Sequence, residues 1–237
     1  MPWWAMTAVE RTRAAGRGHI TGFTLALNYL PLTQLLVGAA MVASQADSLR
    51  SAVLWSAGWF FLLPPLACRL TLLIFGRPRG RALTQAAPAY KIWWFIHQWQ
   101  LVFNRLPWIE EIFRLVPGLY ALWIFLWGGR VSPMVYWAPG SLVIDRPLVI
   151  VETGAVIGMG AGLAGHAGIL AADGSYRIDI AASRVGRGAM MGARSGLGPG
   201  AELAAGALLP AGRMIRPFML WDGTTKRGVA DEGAADE

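Results

Sequence analysis

Residues 185–214 read VGRGAM, MGARSG, LGPGAE, LAAGAL, LPAGRM, and Ile215 opens the next unit. A shorter run in a second frame of six, VETGAV, IGMGAG, LAGHAG, covers residues 151–168 and is followed by Ile169. Each unit opens on an aliphatic or methionine side chain, and the fifth position is small in seven of the eight units. A period of six suits a chain wound as a triangular prism, with the first position pointing into a narrow core, small residues where turns crowd, and three units per coil. Glycine also permits the positive φ angles of tight corners. Neither a helix, with apolar spacing near 3.6, nor a hairpin barrel, with long alternating strands, fits as well. Collagen is excluded because the glycines do not recur every third residue. Residues 170–184 break the frame and are expected to form an extruded loop followed by an irregular strand, RIDI.

Upstream the chain changes character. The 237 residues are 55% hydrophobic with mean hydropathy +0.44, high for a soluble protein. No charge interrupts Ile20 to Ala46, which is long enough to cross a bilayer. A second uncharged run, Ser51 to Cys68, continues past Arg69 into LTLLIF, with Pro64 and Pro65 expected to kink or break it. Arg11, Arg13 and Arg17 precede the first run and Arg77, Arg79 and Arg81 follow the second, so the positive-inside bias places both outer ends in the cytoplasm. The first run is too long for a signal peptide. Between Tyr90 and Trp127 the apolar pieces are too short to span, and KIWWFIHQW reads as a basic aromatic anchor among interfacial helices.

The net charge of +7 belongs to the N-terminal half: residues 1–137 carry 12 Lys/Arg against 4 Asp/Glu, and residues 138–237 carry 9 against 10. Eleven of the twelve tryptophans share that half, which fits a bilayer interface better than a nucleic-acid groove, so no nucleic-acid partner is expected. The single cysteine, Cys68, leaves no disulfide or thiolate cluster.

The reading is therefore an α+β membrane protein, with N-terminal transmembrane and amphipathic helices followed by a parallel β-helix. Its divisions are a membrane anchor at 1–87 with about two spans, interfacial helices at 88–137, the β-helix at 138–221 and a disordered tail at 222–237. The location expected is a multi-pass inner membrane protein with its β-helix in the cytoplasm.

Two stretches carry a family likeness. One is FNRLPWIEEIFRLVPGLYALWIFLWGGRVSPMVYWAPGSLVIDRPLVIVETGAVIGMG, and the other is GHAGILAADGSYRIDIAASRVGRGAMMGARSGLGPGAELAAGALLPAG. They resemble the hexapeptide-repeat acyltransferases, in particular stand-alone bacterial members related to colanic-acid acetyltransferases and the terminal β-helix domains of some nonribosomal peptide synthetases. The resemblance covers about half of the chain and leaves out both apolar runs. It implies a left-handed parallel β-helix, a homotrimer, a coenzyme A thioester as co-substrate rather than a bound cofactor, and a histidine base.

Attack by a hydroxyl or amine on a thioester needs a proton acceptor beside the nucleophile. His166, at a non-core position of LAGHAG just before the extruded loop, is that candidate; the other histidines are His19 and His97. Asp173 is the acidic candidate for orienting the imidazole or binding the acceptor, although Asp before Gly is also a turn signal. Arg187, Arg194, Arg213 and Arg216 recur on the closing coils and are candidates for the coenzyme A phosphates, while solvated prism faces also carry arginines. No metal site is expected, because a γ-type carbonic anhydrase on this fold needs three histidines and the repeat half has one. A membrane-held acyltransferase acting on a lipid-linked sugar, glycolipid or similar acceptor is the function expected. The non-enzymatic alternative is a membrane scaffold that trimerises through its β-helix and docks a partner enzyme.

Overall fold

The computed structural model describes residues 21–171, 174–224 and 226–228, and the chain divides into two compact units. Of the described residues, the first contains those up to Leu106, with Leu126–Gly128 and those between Gly168 and Ile180. The second contains Pro107–Phe125, Gly129–Ala167 and the residues from Ala181 on.

The first unit is mainly helical. Helices α1 (Gly22–Leu27) and α2 (Leu30–Gln45) make up one apolar run. A second runs through α3 (Leu49–Ser56), a π-helical turn at Ala57–Leu62 and α4 (Leu63–Phe75). The stretches Gly22–Gln45 and Leu49–Phe75 are long and apolar enough, by length and composition, to cross a membrane. Pro64 and Pro65 do not break the second run; they fall in the first turn of α4, and the turn just before them is the π-helical one, where the Leu63 N–H donates to the Gly58 carbonyl, an i→i+5 bond. The two runs approach closely at Gly38, where an added Cβ would lie 2.4 Å from the rings of Trp59 and Phe60. Beside that contact the Trp59 indole N–H donates to the Gln34 carbonyl at 2.8 Å.

Helix α5 (Pro88–Arg105) completes this bundle. Tyr90, Trp93 and Ile96 are buried, and the Trp94 indole donates to the Thr24 carbonyl. That face of KIWWFIHQW is thus packing surface. The 168–180 segment belongs here too. Strand β9 (Tyr176–Ile180) pairs with β8 (His166–Leu170) and runs antiparallel to β1 (Gly80–Leu83), so the strand expected at RIDI forms and is the central one of three. Asp179 accepts the Ala82 N–H at 2.8 Å, which matches the positive φ of Ala82.

The second unit is a β-helix with three parallel faces. Face one stacks β2 (Arg130–Val131), β5 (Val149–Val151), β10 (Ser183–Val185), β13 (Glu202–Leu203) and β16 (Met219–Trp221). Face two stacks β3 (Tyr136–Trp137), β6 (Val156–Ile157), β11 (Met190–Met191) and β14 (Leu208–Leu209), and face three stacks β4 (Leu142–Val143), β7 (Gly162–Leu163), β12 (Gly196–Leu197) and β15 (Met214–Ile215). The coil thus starts at Arg130, ahead of residue 138. After β16, β17 (Lys226–Gly228) pairs back antiparallel, so the segment read as a disordered tail includes a strand.

The first position of each repeat fills the prism. Val151, Ile157, Leu163, Val185, Met191, Leu197, Leu203, Leu209 and Ile215 are all buried, each contributing roughly 1.5–3 kcal/mol by leaving water. The fifth-position alanines 155, 161, 189, 201 and 207 are buried as well, because a larger side chain there would meet the next coil. Ile169 follows the first run but is only half-buried, since the chain has already left the prism. Positive φ values recur every six residues at Gly188, Arg194, Gly200, Gly206, Gly212 and Phe218. The corner therefore has its own strict period, and at two places it holds a residue with a Cβ.

Two helices lead into this unit. In α6 (Trp108–Arg114), Trp108 and Ile112 are exposed, as is Leu115 one turn further on; in α7 (Leu119–Leu126), Leu122 and Phe125 are exposed. Their inward faces carry the polar network that braces the site.

Candidate active site

Aligned positions on face one show where the coil departs from regularity. Arg130 pairs with Ile150, 20 residues on; Ile150 pairs with Arg184, 34 on; Arg184 with Glu202 and Glu202 with Leu220 are each 18 apart. Eighteen is three units of six, so the first coil holds two extra residues and the second holds sixteen. Both insertions fall at the same corner, between faces three and one. The first is the short 3-10 turn Arg146–Leu148, and the second is the segment that begins at His166.

At that corner Asp145 and His166 meet. The His166 Nδ1 lies 2.7 Å from Asp145 Oδ2, and the same oxygen accepts the Gly165 N–H at 2.9 Å. The approach depends on Gly165: an added Cβ would lie 2.5 Å from Leu148 Cβ and 2.9 Å from Asp145 Cβ. Asp145 is buried and the imidazole is partly exposed. An ionised carboxylate only accepts hydrogen bonds, so Nδ1 carries the proton and Nε2 keeps its lone pair. Burial disfavours the imidazolium, but the charge of Asp145 and its hydrogen bond together outweigh burial and hold the His166 pKa above the usual imidazole value. The pair has the parts of an oriented general base, which is a proton acceptor with its tautomer and ring fixed from behind.

Behind Asp145 lies a second buried group. Arg146 donates through Nε to Glu110 Oε1, and both side chains are almost fully buried. The Trp123 indole N–H donates to the same Glu110 oxygen at 2.7 Å, and the Tyr120 hydroxyl reaches Oε2 at 3.3 Å. Burial, with the neighbouring Glu110 carboxylate, pushes the Tyr120 hydroxyl well above its ordinary pKa, so it stays protonated and donates. Arg114 in turn donates to the Tyr120 oxygen at 2.8 Å and stacks over the rings of Tyr120 and Trp137.

The other sequence candidates do not gather there. Asp173 lies outside the described residues. Arg187 sits on the corner between faces one and two, where its N–H donates to Glu152 at 3.0 Å. The Glu152 carboxylate also takes a hydrogen bond from the Arg184 side chain, which holds its pKa below the usual value. Arg194 and Arg213 share the corner between faces two and three, and Arg213 lies over the Trp221 ring at 4.2 Å. Arg216 is on the same corner as His166, but after the closing coils. The four are exposed and spread over three corners, so within one chain they form no single anion site.

Sequence reasoning missed Asp145, Glu110 and Arg146. A signal for Asp145 existed. Extending the frame upstream gives core positions at Val131, Trp137 and Val143, then a gap of eight residues to Val151 that contains it. Nothing in the sequence marks Glu110 as the partner of Arg146, 36 positions away.

No family model matches the chain, and no curated protein matches it. Among solved structures it is similar to the serine acetyltransferase of Neisseria gonorrhoeae, at 14% identity over 85% of this chain and 91% of that one, with a TM-score of 0.23. The same enzyme in complex with serine matches at 14% identity over 85% and 97%, TM-score 0.24. Serine acetyltransferase isoform 3 of Entamoeba histolytica, in complex with cysteine, matches at 11% identity over 79% and 70%, TM-score 0.21. TM-scores this low carry no argument about function, so the reading of the site rests on its own residues.

Proposed function

We propose that this chain is a coenzyme A-dependent acyltransferase of the hexapeptide-repeat kind, built on a left-handed β-helix, with His166 as general base and Asp145 as the residue that orients it. The observation that carries the reading is the His166–Asp145 contact at the one corner of the prism where the coil is twice interrupted. Asp145 takes the orienting role for which the sequence had offered Asp173.

The chemistry follows from the pair. His166 Nε2 accepts the proton of an acceptor hydroxyl or amine as its O or N bonds to the thioester carbonyl carbon. The tetrahedral intermediate collapses with cleavage of the C–S bond, and the imidazolium returns its proton to the departing sulfur, giving the acylated acceptor and free coenzyme A. Asp145 stabilises the transient imidazolium without itself becoming protonated. The acyl group proposed is acetyl.

The acceptor proposed is a lipid-linked sugar, glycolipid or similar amphipathic molecule at the cytoplasmic face of an inner membrane. Two apolar helical runs and the exposed Trp108, Ile112 and Leu115 support that reading. A homotrimer is proposed as the working assembly, which would let arginines from different chains converge on one coenzyme A.

Radiolabelled acetyl-CoA supplied with extracted lipids, with products identified by mass spectrometry, tests the function. Label should enter a lipid fraction with the native protein, and His166→Ala should lower turnover by about 10²- to 10⁴-fold while the affinity for coenzyme A holds. Equal turnover by a folded His166→Ala protein would remove His166 from the mechanism, and no transfer of label by the native protein would leave the scaffold reading.

A further inference from the structure

We propose that the buried Glu110–Arg146 ion pair is a positioning device for the base: it fixes the turn that carries Asp145, and through Asp145 the ring of His166. The inference rests on the reading of His166 as general base.

Asp145 has no regular strand to hold it. It lies between β4 and the 3-10 turn, in the two-residue insertion, where parallel pairing is interrupted. Its immediate neighbour Arg146 is almost wholly buried and is tied to Glu110 of α6. Glu110 is itself held by Trp123 of α7, and Tyr120 of α7 reaches its other oxygen. Three side chains from two helices thus back the residue next to Asp145: Glu110 pairs with it directly, and Trp123 and Tyr120 hold Glu110.

Energy argues that this arrangement is not there for stability alone. A buried ion pair costs desolvation of both charges and is often no more stabilising than apolar side chains of the same volume. What it adds is direction, since an Nε hydrogen bond to a carboxylate fixes angle as well as distance. Asp145 needs that, because its Oδ2 must meet the Gly165 N–H and His166 Nδ1 together. A small displacement of a catalytic group can cost up to about 10²-fold in rate.

The test uses the full chain in detergent and the double variant Glu110→Gln/Arg146→Met, which removes the pair without leaving either charge alone. The readout is the His166 imidazole titration by NMR with labelled histidine, assigned by the signal lost in His166→Ala and calibrated by Asp145→Asn. The midpoint should fall part of the way toward that of Asp145→Asn, and kcat for acetyl transfer should drop about 10- to 100-fold with KM for acetyl-CoA unchanged. A folded double variant with the native midpoint and native kcat would overturn the inference. If the double variant does not fold, Trp123→Phe removes one donor to Glu110 and keeps both charges; a smaller shift in the same direction supports the inference and a native midpoint overturns it. Should His166→Ala prove fully active, the reading of His166 as general base fails, and the titration alone still decides whether the ion pair positions His166.

Discussion

The corner between faces three and one differs between the two ends of the prism. In the closing coils it is the four-residue turn Gly198–Ala201, with Gly200 at positive φ and the turn tied to the following coil by the Gly198 N–H donating to the Ile215 carbonyl and the Phe218 N–H donating to the Pro199 carbonyl. In the opening coils the same corner is interrupted twice, and there it holds the buried Asp145 and, one coil later, His166. Regular coils offer every corner the same geometry, so they make a scaffold. Chemistry needs an asymmetric pair of side chains, and it is found where the repeat is broken and the break is braced from outside by α6 and α7.

The sharpest way to break that comparison is Asp145→Asn. It keeps the shape, withdraws the acceptor that fixes the imidazole tautomer, and should lower turnover by about 10²- to 10⁴-fold with little change in folding. The pH profile checks the cause. Native activity should rise with pH through a midpoint above the usual imidazole value, because Asp145 favours the charged ring that cannot accept a proton. In Asp145→Asn burial acts alone and the midpoint should move down. Linkage gives the matching stability test: with its folded pKa raised, His166 contributes stability fully below the unfolded pKa, and this is lost as pH rises through the folded value. The stability gap between native and Asp145→Asn proteins should accordingly narrow as pH rises, which denaturant titrations at several pH values would show.

The converse experiment belongs to the closing coils. Leu203→Ala removes a wholly buried core side chain and should cost about 2–5 kcal/mol of stability, read as a lower denaturation midpoint, while leaving the His166 titration unchanged. A shift in that titration would mean that the two ends of the prism are coupled.

Gly165→Ala lies between these cases. Its Cβ would press on Leu148 and Asp145, so a loss of about 1–3 kcal/mol from overpacking should come with a lowered His166 midpoint. The smallest effect is expected at Arg194, which holds a left-handed corner conformation at φ 55° where its neighbours at 188, 200, 206 and 212 are glycine. Arg194→Gly should raise stability by about 1 kcal/mol or less, since the steric penalty removed is partly offset by the freedom glycine gains in the unfolded chain. If the same change also weakens coenzyme A binding in a titration, Arg194 is a ligand residue kept at the expense of strain.

Much of this molecule could be read from its residues one after another. A coil of three units of six repeats its own environment, so Val151, Leu197 or Ile215 each reveals the core through its place in the unit, and His166 stands out as the one aromatic ring in eight units. Apolar runs long enough to span a bilayer are equally local facts. What remained hidden was every contact without a period. Asp145 reaches His166 across 21 positions and Glu110 reaches Arg146 across 36, through an insertion, a 3-10 turn and two short helices whose packing no local pattern encodes. The four arginines that recur in the closing coils look like a set in sequence and fall on three different corners, because neighbouring units of six turn the chain onto different faces. The period fixed which side chains point inward; only the tertiary structure decided which polar side chains meet, since that depends on where the period fails and on what packs against the gap.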